Sequence, residues 1–509
     1  MLDDTLFLAL ETISLNKQAL IFASTRSIAE KTAEDISLKT SFFFPELATQ
    51  VLKGISSPTK QCHRLSSCVK KGIAFHHAGL TSKQKELVEE EFRKGTIKII
   101  CCTPTLAMGM SLPAFRVIIK SLKRYSGKWG MDWIPVLEYL QMAGRAGRPE
   151  FESYGEAISL AKTELDSLDI YNRYICGQPE DIYSKLAVEP VLRTYLLSLI
   201  STEIANSRTD LLNFFSKTFW AHQFKDMEKI GVIIDRMLLL LKDFGFIEFS
   251  SNNSADFVAA NQLAENYFIR ATLIGRRVSE LYLDPVTANH LICGLNKSSE
   301  INLTPFSFLQ LISHTLENYP LLKVKVKEFE EVQEQLLLKK AQFLENEPSV
   351  YDLDYDEFIS SVKTALFLEY WINESEEDFL LEKFDIRPGE IHVKLEVADW
   401  LLYSTAELAR LLKLQSILKD LNKLRIRVKK GVKEELLPLL QLKGIGRKRA
   451  RKLFNRGIRN LGDLNTVDLT TLSQLLGTTL ALDLKKQLGA EIKPVPEKQT
   501  LGQLSLKKY

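Results

Sequence analysis

Residues 136–149 read Val-Leu-Glu-Tyr-Leu-Gln-Met-Ala-Gly-Arg-Ala-Gly-Arg-Pro, and they say more about the chain than any other stretch. Gln141 is followed by Arg145 and Arg148, which are three residues apart. On a helix this spacing places both guanidinium groups on one face. Two glycines on the same turns, one of them Gly144, would let that face approach another surface closely. Guanidinium groups fixed at a domain edge can neutralise charge that builds up on a γ-phosphate. We therefore interpret the stretch as part of a nucleotide site, because a basic surface helix would need neither the glycines nor the glutamine.

Two motifs that a complete nucleotide site would need are missing from the 509 residues. There is no Gly-x-x-x-x-Gly-Lys-Ser/Thr loop to surround phosphates, and no Asp-Glu-x-His box to hold a metal ion. The sequence therefore predicts that this chain carries only one side of the site.

The composition is that of an ordinary globular protein, with 45% hydrophobic and 26% charged residues and a length that allows several domains. No long apolar run predicts a membrane span, and the N-terminus has no signal-peptide pattern. Six cysteines without framework spacing indicate a reducing, cytoplasmic environment. Cys62, Cys68, His76 and His77 fit no common zinc spacing, so no metal site is predicted.

The charge of the chain is unevenly distributed. The net charge is only +3, but residues 421–460 contain 14 Lys or Arg against Glu434 and Glu435. That segment has a net charge of +12, and the rest of the chain has a net charge of −9. A basic block on a nearly neutral protein indicates a nucleic-acid contact at that place, although a solvated charged helix is the simpler alternative.

Residues 1–165 alternate between short apolar strands and amphipathic helices, which predicts a parallel α/β sheet. The predicted strands are Gln18–Ala23, Gly72–Phe75, Ile97–Cys102, Phe115–Ile119 and Tyr154–Leu160. A helix is expected over Thr81–Lys94, capped by Thr81 or Ser82.

After about residue 180 the pattern becomes helical. Helices are predicted at Glu189–Ala205, Asp210–His222 and Met227–Phe244, and the strands Gly245–Phe249 and Asp256–Ala260 could pair as a short β-wing. Three helices and a wing favour a winged-helix module. Residues 304–411 are a run of amphipathic helices that predicts a bundle, and the polar segment 491–509 is expected to be flexible.

Polar residues follow three of the predicted strands. Ser24, Thr25 and Arg26 open a helix where hydroxyl and amide groups could bind a phosphate, although a simple helix cap is the alternative. Thr103 and Thr105 could hold a nucleic-acid backbone without reading its sequence. The adjacent histidines His76 and His77 could be metal ligands or ordinary loop residues.

Residues 120–134 suggest an aromatic β-hairpin containing Tyr125, Trp129 and Trp133. An exposed aromatic tip can stack on a base or wedge a duplex, and the alternative is a packed hairpin whose aromatic rings lie in the core.

A Gly-Ile-Gly turn at 444–446 lies inside the basic block. It resembles a helix-hairpin-helix, in which turn amides approach a DNA phosphate without reading sequence. The candidate contacts are Gly444, Gly446, Arg447, Lys448 and Arg449.

The order of these pieces resembles archaeal Ski-like superfamily-two DNA helicases, most closely the fork-remodelling family related to the polymerase theta helicase. The resemblance covers nearly the whole chain. It rests on residues His76–Leu80, Thr103–Pro113, Pro135–Pro149, Thr272–Pro285, Lys363–Glu374 and Lys433–Leu464.

The resemblance implies roles for individual residues. Arg145 and Arg148 would engage nucleotide phosphates, positioned by Gln141, with Gly144 and Gly109 against the nucleotide. ATP and Mg²⁺ are the implied cofactors, held mainly by a first RecA-like domain outside this sequence. Residues 121–134 would separate strands. Contacts to the tracking strand are implied for Ser24, Thr25, Arg26, His77, Thr103 and Thr105.

The family's ratchet helix stacks an aromatic residue on a base, and that position corresponds to Trp400, for which a core tryptophan is an equal alternative. The family often has arginine seven residues earlier, where this chain has Val393, so Lys394 would substitute for it. Ser111 stands where the family usually has asparagine.

Taken together, the sequence predicts a multidomain α/β plus α protein. Its expected modules are a second RecA-like domain (1–175), a winged helix (176–265), a helical ratchet (266–430), a helix-hairpin-helix (431–490) and a flexible tail (491–509). The implied activity is that of the C-terminal half of an ATP-dependent 3′-to-5′ DNA helicase on forks or recombination intermediates. A separate polypeptide would supply the first RecA-like domain, and this chain alone would be inactive.

Two other functions remain open from the sequence. The chain could be a DNA-binding or loading factor without a motor, or a subunit of an RNA helicase. Single-stranded and branched DNA are the expected partners, with no membrane. Residues 498–504 weakly resemble a sliding-clamp peptide but lack its first glutamine and paired aromatics.

Overall fold

The computed structural model describes residues 3–53, 58–109, 112–125, 131–147, 153–251 and 267–489. The chain divides into two compact units. One comprises Met1–Asn289 with Glu376–Glu396, and the other comprises His290–Ser375 with Val397–Tyr509. Among the described residues, no helix has both the length and the apolar character that crossing a membrane requires.

The first unit is built on a five-stranded sheet in which every pair of neighbours is parallel, in the order β2-β3-β1-β4-β7. Its strands are β1 (Ala19–Phe22), β2 (Ile73–His76), β3 (Ile99–Cys102), β4 (Arg116–Ile119) and β7 (Glu156–Ser159). Four of them are buried along their whole length, as expected for strands covered on both faces. The predicted parallel α/β sheet is therefore confirmed.

Helices α1 to α8 accompany this sheet. They are α1 (Asp4–Ser14), α2 (Arg26–Ser37), α3 (Pro45–Lys53), α4 (Lys60–Val69), α5 (Ser82–Arg93), α6 (Thr105–Gly109), α7 (Val136–Ala143) and α8 (Glu164–Ile170). Helix α5 begins as predicted, because the Thr81 hydroxyl accepts from the Gln84 amide and the Gln84 side chain accepts from the Thr81 amide. A separate antiparallel hairpin consists of β5 (Lys123–Tyr125) and β6 (Met131–Trp133).

The rest of the first unit up to residue 289 is mainly helical. Its elements are α9 (Glu189–Ser201), α10 (Arg208–Ser216), α11 (Phe219–Phe224), α12 (Met227–Asp243), β8 (Ile247–Ser251), β9 (Tyr267–Ala271) and α13 (Leu273–Glu280).

Two expectations for this region need correction. The single helix predicted over Asp210–His222 is two helices, because the Thr218 hydroxyl accepts from the Ala221 amide and starts a new helix there. Strand β8 pairs with β9, so the partner of the first wing strand is Tyr267–Ala271. The strand predicted at Asp256–Ala260 lies outside the described residues.

The remaining helices are α14 (Pro285–Lys297), α15 (Pro305–Ser313), α16 (Phe329–Lys339), α17 (Tyr355–Ile372), α18 (Glu377–Phe384), α19 (Pro388–Leu411), α20 (Gln415–Lys430), α21 (Arg447–Phe454), α22 (Leu461–Thr466), α23 (Leu469–Leu476) and α24 (Thr478–Gln487). Helix α17 is buried on nearly all sides and packs against α15, α16 and α20, which makes it the centre of the second unit. Helices α21 to α24 enclose a small apolar core of their own.

Candidate nucleotide and nucleic-acid site

Three loops with polar side chains meet at one edge of the sheet. Ser24 and Thr25 follow β1, His77 follows β2, and Thr103 and Thr105 follow β3. These strands are adjacent and parallel, so their carboxyl ends share an edge, which is where ligands bind in open α/β sheets. The Thr103 and Thr105 hydroxyls are 2.9 Å apart, and the Thr103 amide donates to the His76 carbonyl across the strands at 3.3 Å.

The first of these loops is held from two sides. The exposed Thr25 caps α2 by accepting from the Ile28 amide at 3.3 Å, so its hydroxyl is already engaged. The Arg26 guanidinium forms an ion pair with Glu390, in the first turn of α19. Ser24 is half-buried between strand and helix. Of the three predicted contacts, two therefore also have structural partners within the first unit.

His77 does not lie where it could touch a nucleic acid, because its side chain has no exposed surface. The expectation that it contacts a strand is corrected by this burial. The ring stacks on Phe75, and its Nδ1 accepts from the Gly79 amide at 3.1 Å. Nε2 therefore carries the proton and donates to Glu30 at 3.2 Å. His77 fixes the loop after β2.

Glu30 is the centre of a buried charge network that the sequence did not reveal. Its carboxylate accepts from the Gln61 amide at 2.8 Å and pairs with Arg64 as well as His77. Burial alone would raise the pKa of Glu30, but the His77 hydrogen bond and the Arg64 charge outweigh it and hold the pKa below its ordinary value. The carboxylate is therefore ionised at neutral pH and joins α2, α4 and the β2 loop.

The first turn of α19 packs on the loop after β2. The Gly389 amide donates to the Gly79 carbonyl at 3.1 Å. A Cβ at Gly389 would lie 2.2 Å from the Ala78 carbonyl oxygen, so this close approach requires glycine. Local sequence indicates at Arg387-Pro388-Gly389 a break in the helical run of residues 304–411, and no contact with the β2 loop. Proline followed by glycine at a helix start was the available signal.

The stretch at 136–149 differs from the expected geometry. Helix α7 ends at Ala143 with Gly144 as its C-cap, so Arg145 lies beyond the helix. The predicted helical face carrying both arginines is therefore wrong, and Arg148 lies outside the described residues. The Arg145 guanidinium donates to the Ala107 carbonyl of α6, while its buried Nε has no hydrogen-bond partner among the described residues. Gln141 and Gly144 are exposed, and Gly109 is the last residue of α6.

After Arg145 the chain runs beside the sheet. The Ala114 amide donates to the Arg145 carbonyl at 2.9 Å, and the Gly147 amide donates to the Ala114 carbonyl at 2.7 Å. Gly147 has φ +91°, and a Cβ at Gly155 would lie 2.1 Å from the Gly147 nitrogen. We expected the glycines in this stretch to allow a close approach to another surface. The close approach is between the backbones of Gly147 and Gly155.

The predicted hairpin is present as β5 and β6. Trp133 at its base is half-buried, with the Lys123 ammonium 4.1 Å from its ring centre and Tyr174 beside it. The Trp133 ring therefore packs against neighbouring side chains, as in the alternative of a packed hairpin. Trp129 and the rest of the tip lie outside the described residues, and Tyr125 is described only as part of β5.

The two ratchet candidates lie on α19. Lys394 is buried with 8% of its surface exposed, and burial lowers the pKa of Lys394 to about 8. A buried lysine is poorly placed for a phosphate contact, so its proposed substitution for arginine is not supported by its position. Trp400 is half-buried, and the exposed Val393 occupies the position discussed above.

The Gly-Ile-Gly turn lies between a short 3-10 turn and α21. Gly444 has φ +89°, Gly446 is the N-cap of α21, and both are exposed. Lys448 and Arg449 are exposed as well, and the Arg449 guanidinium donates to the Gly444 carbonyl at 2.8 Å.

Arg447 is different, because its guanidinium lies 5.2 Å from the Trp371 ring centre and donates to the Ser375 carbonyl at 2.5 Å. We therefore correct its assignment as a DNA contact to a packing role. Other basic residues of the 421–460 block also form ion pairs, among them Arg425 with Asp399 and Arg451 with Glu374.

The four residues considered as a zinc site are used elsewhere. Cys62 and Cys68 are buried thiols, His76 contacts Glu89 at 2.8 Å, and His77 contacts Glu30. Within the described ranges, the group that could hold a metal ion is instead His290, His314 and Glu345. Sequence spacing could not reveal it, because its members are 24 and 31 residues apart.

Comparison with known proteins agrees with this arrangement. Residues 4–150 match the family described as helicase conserved C-terminal domain, and residues 306–431 match archaeal helicase, domain 4. The ATP-dependent DNA helicase Hel308 of Methanocella arvoryzae is 35% identical over 99% of this chain and 68% of its own length. The Pyrococcus horikoshii Hel308 is 37% identical over 97% of this chain and 67% of its own. The chain belongs to the Hel308 family.

Membership of the Hel308 family confirms the resemblance seen in the sequence. The helicase C-terminal match covers the parallel sheet through β4, the three polar loops and α7. The domain 4 match covers α15 to α20, with Trp400 inside it. A third Hel308 relative, from Methanococcus vannielii, is 38% identical over 82% of this chain and 58% of its own length.

Proposed function

We propose that this chain is the C-terminal part of an ATP-dependent 3′-to-5′ DNA helicase that acts on replication forks or recombination intermediates. The proposal is supported by relatives named as ATP-dependent DNA helicases along nearly the whole chain. The nucleotide and DNA contacts proposed for individual residues rest on the arrangement of the loops at the carboxyl edge of the sheet.

The observation that carries the proposal is the contact between Arg145 and α6. Helix α6 begins at Thr105, beside Thr103, and its Ala107 carbonyl accepts from the Arg145 guanidinium. The nucleotide-facing segment is thus joined through one short helix to the hydroxyls proposed to hold the strand. A shift of Arg145 toward a γ-phosphate would release the Ala107 carbonyl and let α6 move with its threonines.

The nucleotide is proposed to bind between this domain and a first RecA-like domain that is not among these 509 residues. That domain would hold most of the ATP and Mg²⁺, because this sequence has no phosphate loop or acidic box. Gln141, Gly144, Arg145, Arg148 and Gly109 would complete the site from this side.

The DNA is proposed to cross the sheet edge along Ser24, Thr25, Arg26, Thr103 and Thr105. These are backbone contacts, so they would not select a sequence. The hairpin with Tyr125 and Trp129 would part the strands, and Trp400 would stack on a base.

The remaining modules are proposed as DNA supports. Helices α9, α10 and α12 with the β8–β9 pair fit a winged helix. The exposed Gly444, Gly446, Lys448 and Arg449 fit a helix-hairpin-helix on the DNA backbone. The module boundaries given above remain part of the proposal, as does a cytoplasmic location, to which six free cysteines are suited.

Unwinding of tailed duplexes tests the proposal. This chain is mixed with a Walker-containing first RecA-like polypeptide from the same genome, and duplexes with a 3′ or a 5′ single-stranded tail are offered with ATP. We expect unwinding of the 3′-tailed DNA only, and less of an RNA duplex. Equal unwinding of RNA would favour an RNA helicase subunit. DNA binding without unwinding would favour a loading factor without a motor.

A further inference from the structure

Two histidines and a glutamate that lie far apart in sequence meet in the second unit. His290 is on α14, His314 follows the end of α15, and Glu345 is in the segment after α16. The His314 Nδ1 is 2.8 Å from a Glu345 carboxylate oxygen, and the His290 Nδ1 is 3.8 Å from the same oxygen. One ligand atom from each residue lies within 4.8 Å of the other two.

We propose that His290, His314 and Glu345 form a binding site for a divalent transition-metal ion of the zinc class. Two imidazole nitrogens and one carboxylate oxygen are a donor set that Zn²⁺ favours, with water in a fourth position. Ligand bonds of about 2.0–2.1 Å in a tetrahedron separate the ligand atoms by roughly 3.3 Å. The distances of 2.8 and 3.8 Å lie on either side of that value.

The protonation state of His290 supports a cation at this place. Its Nε2 is 3.2 Å from the Leu311 carbonyl oxygen, which can only accept, so Nε2 carries the proton. The Nδ1 atom, 3.8 Å from a Glu345 carboxylate oxygen, is therefore the ring nitrogen that is available as a metal ligand.

The surrounding groups are those that orient metal ligands. A carbonyl on the far nitrogen of a histidine is a common second contact of metal-binding imidazoles. The amide nitrogen of Gln310, which is fully buried, donates to Glu345, while its amide oxygen has no hydrogen-bond partner among the described residues. The three side chains are 22%, 18% and 14% exposed, so water and ions can reach them.

A bound ion would tie α14, the end of α15 and the segment after α16 together. Its role would be structural, because the three ligands come from separate elements of the second unit. His314 must lose the proton that it shares with Glu345. A ligating imidazole nitrogen must be unprotonated, so binding of the ion would displace that proton.

The test is a titration of the full chain with Zn²⁺ after chelator treatment, followed by calorimetry. Cys176→Ser and Cys293→Ser are introduced first, because exposed thiols bind zinc on their own. We expect one saturable site per chain, and a rise in unfolding temperature on adding Zn²⁺. Glu345→Gln and His290→Asn should each weaken binding at least about tenfold. His222→Asn, an exposed histidine on α11, is the matched control and should bind zinc normally.

Cobalt binding is a second test, and it does not require any variant of the three proposed ligands to fold. Co²⁺ added to the chain without its two exposed thiols should produce the intense visible absorption of a tetrahedral site, and Zn²⁺ should remove it. Absence of saturable zinc binding and of that absorption would overturn the proposal. Equal binding by the Glu345→Gln protein would also overturn it, and the three residues would then be a hydrogen-bonded triad without metal.

Discussion

Arg145 is the single residue on which the nucleotide-facing half of the proposed site depends. Its side chain leaves the end of α7 and donates to the Ala107 carbonyl of α6. Its buried Nε retains an unused donor in the described part of the chain. The Arg145 guanidinium can exchange the Ala107 carbonyl for a phosphate oxygen, because charged acceptors make the stronger hydrogen bonds.

We expect Arg145→Ala to lower the DNA-stimulated ATPase of the assembled enzyme by about a hundredfold to a thousandfold, the usual effect of removing one donor to a developing charge. Arg145→Lys should not rescue it, because an ammonium group lacks the planar fork of donors with which a guanidinium binds a phosphate. The measurement is steady-state ATP hydrolysis with saturating DNA. Arg236→Ala, an exposed arginine paired with Glu189, is the control and should keep full activity. Unchanged hydrolysis by the Arg145→Ala protein would remove this residue from the site.

Glu30 gives a pH-dependent prediction. Its pKa is held below the ordinary 4.5, so its ion pairs contribute stability above that pH and lose it as the pH falls through the lower folded-state pKa. Glu30→Gln should cost about 1–3 kcal/mol at pH 7, because it removes the charge-assisted hydrogen bonds from Arg64 and His77, while Arg64 keeps its ion pair with Glu34. The cost should shrink below about pH 4.5.

Denaturant unfolding of the chain at pH 7 and at pH 4 measures this effect. Glu86→Gln, on the exposed side of α5, should show no such pH dependence. A constant difference between wild type and Glu30→Gln at both pH values would contradict the charge network.

At the scale of elements, the packing of α19 on the β2 loop is the feature most sensitive to a small change. Gly389→Ala would place a methyl group 2.2 Å from the Ala78 carbonyl oxygen, so the helix start or the loop must move. We expect a loss of about 1–3 kcal/mol in unfolding free energy. Gly231→Ala is the control, because its new Cβ would meet its nearest atom at 3.5 Å inside α12. There alanine should be neutral or slightly stabilising. Equal stability of the two variants would show that the close approach at Gly389 does not constrain the fold.

For the turn before α21, the prediction concerns DNA binding rather than stability. Changing Lys448 and Arg449 together to alanine should weaken DNA binding and lower the slope of log affinity against log salt by about 1–2. Fluorescence anisotropy at several salt concentrations measures both quantities. Lys94→Ala, an exposed lysine at the C-terminal end of α5 and outside the proposed DNA contacts, should leave the slope unchanged. Arg447→Ala should instead lower stability, because that guanidinium packs on Trp371. A salt slope unaffected by the double change would exclude this turn as a phosphate contact.

The elements also show where prediction from sequence succeeds. Strands β1 to β4 were predicted within two residues because each is a short apolar run between turn signals, such as Ala19–Phe22. The break at Thr218 was missed because a lone capping threonine does not interrupt an amphipathic pattern. The pairing of β8 with Tyr267–Ala271 was missed because sequence gives no register between strands that far apart.

At the scale of the whole molecule, the sequence predicted which segments form the candidate site but not how each side chain is used. Thr103 and Thr105 lie at the carboxyl edge because the sheet is parallel, as predicted, and both residues follow β3. His77 is buried and Arg26 is paired, since long-range partners such as Glu30 and Glu390 carry no local signal. The same limit concealed the cluster of His290, His314 and Glu345.

The DNA-stimulated ATPase of this chain tests the central claim, measured alone and after mixing with a first RecA-like domain that carries Walker motifs. We predict no hydrolysis by the chain alone, hydrolysis by the mixture with DNA, and loss of that activity in the mixture when this chain carries Arg145→Ala. DNA-stimulated hydrolysis by the pure chain, abolished by the same change, would contradict the claim that another domain completes the site.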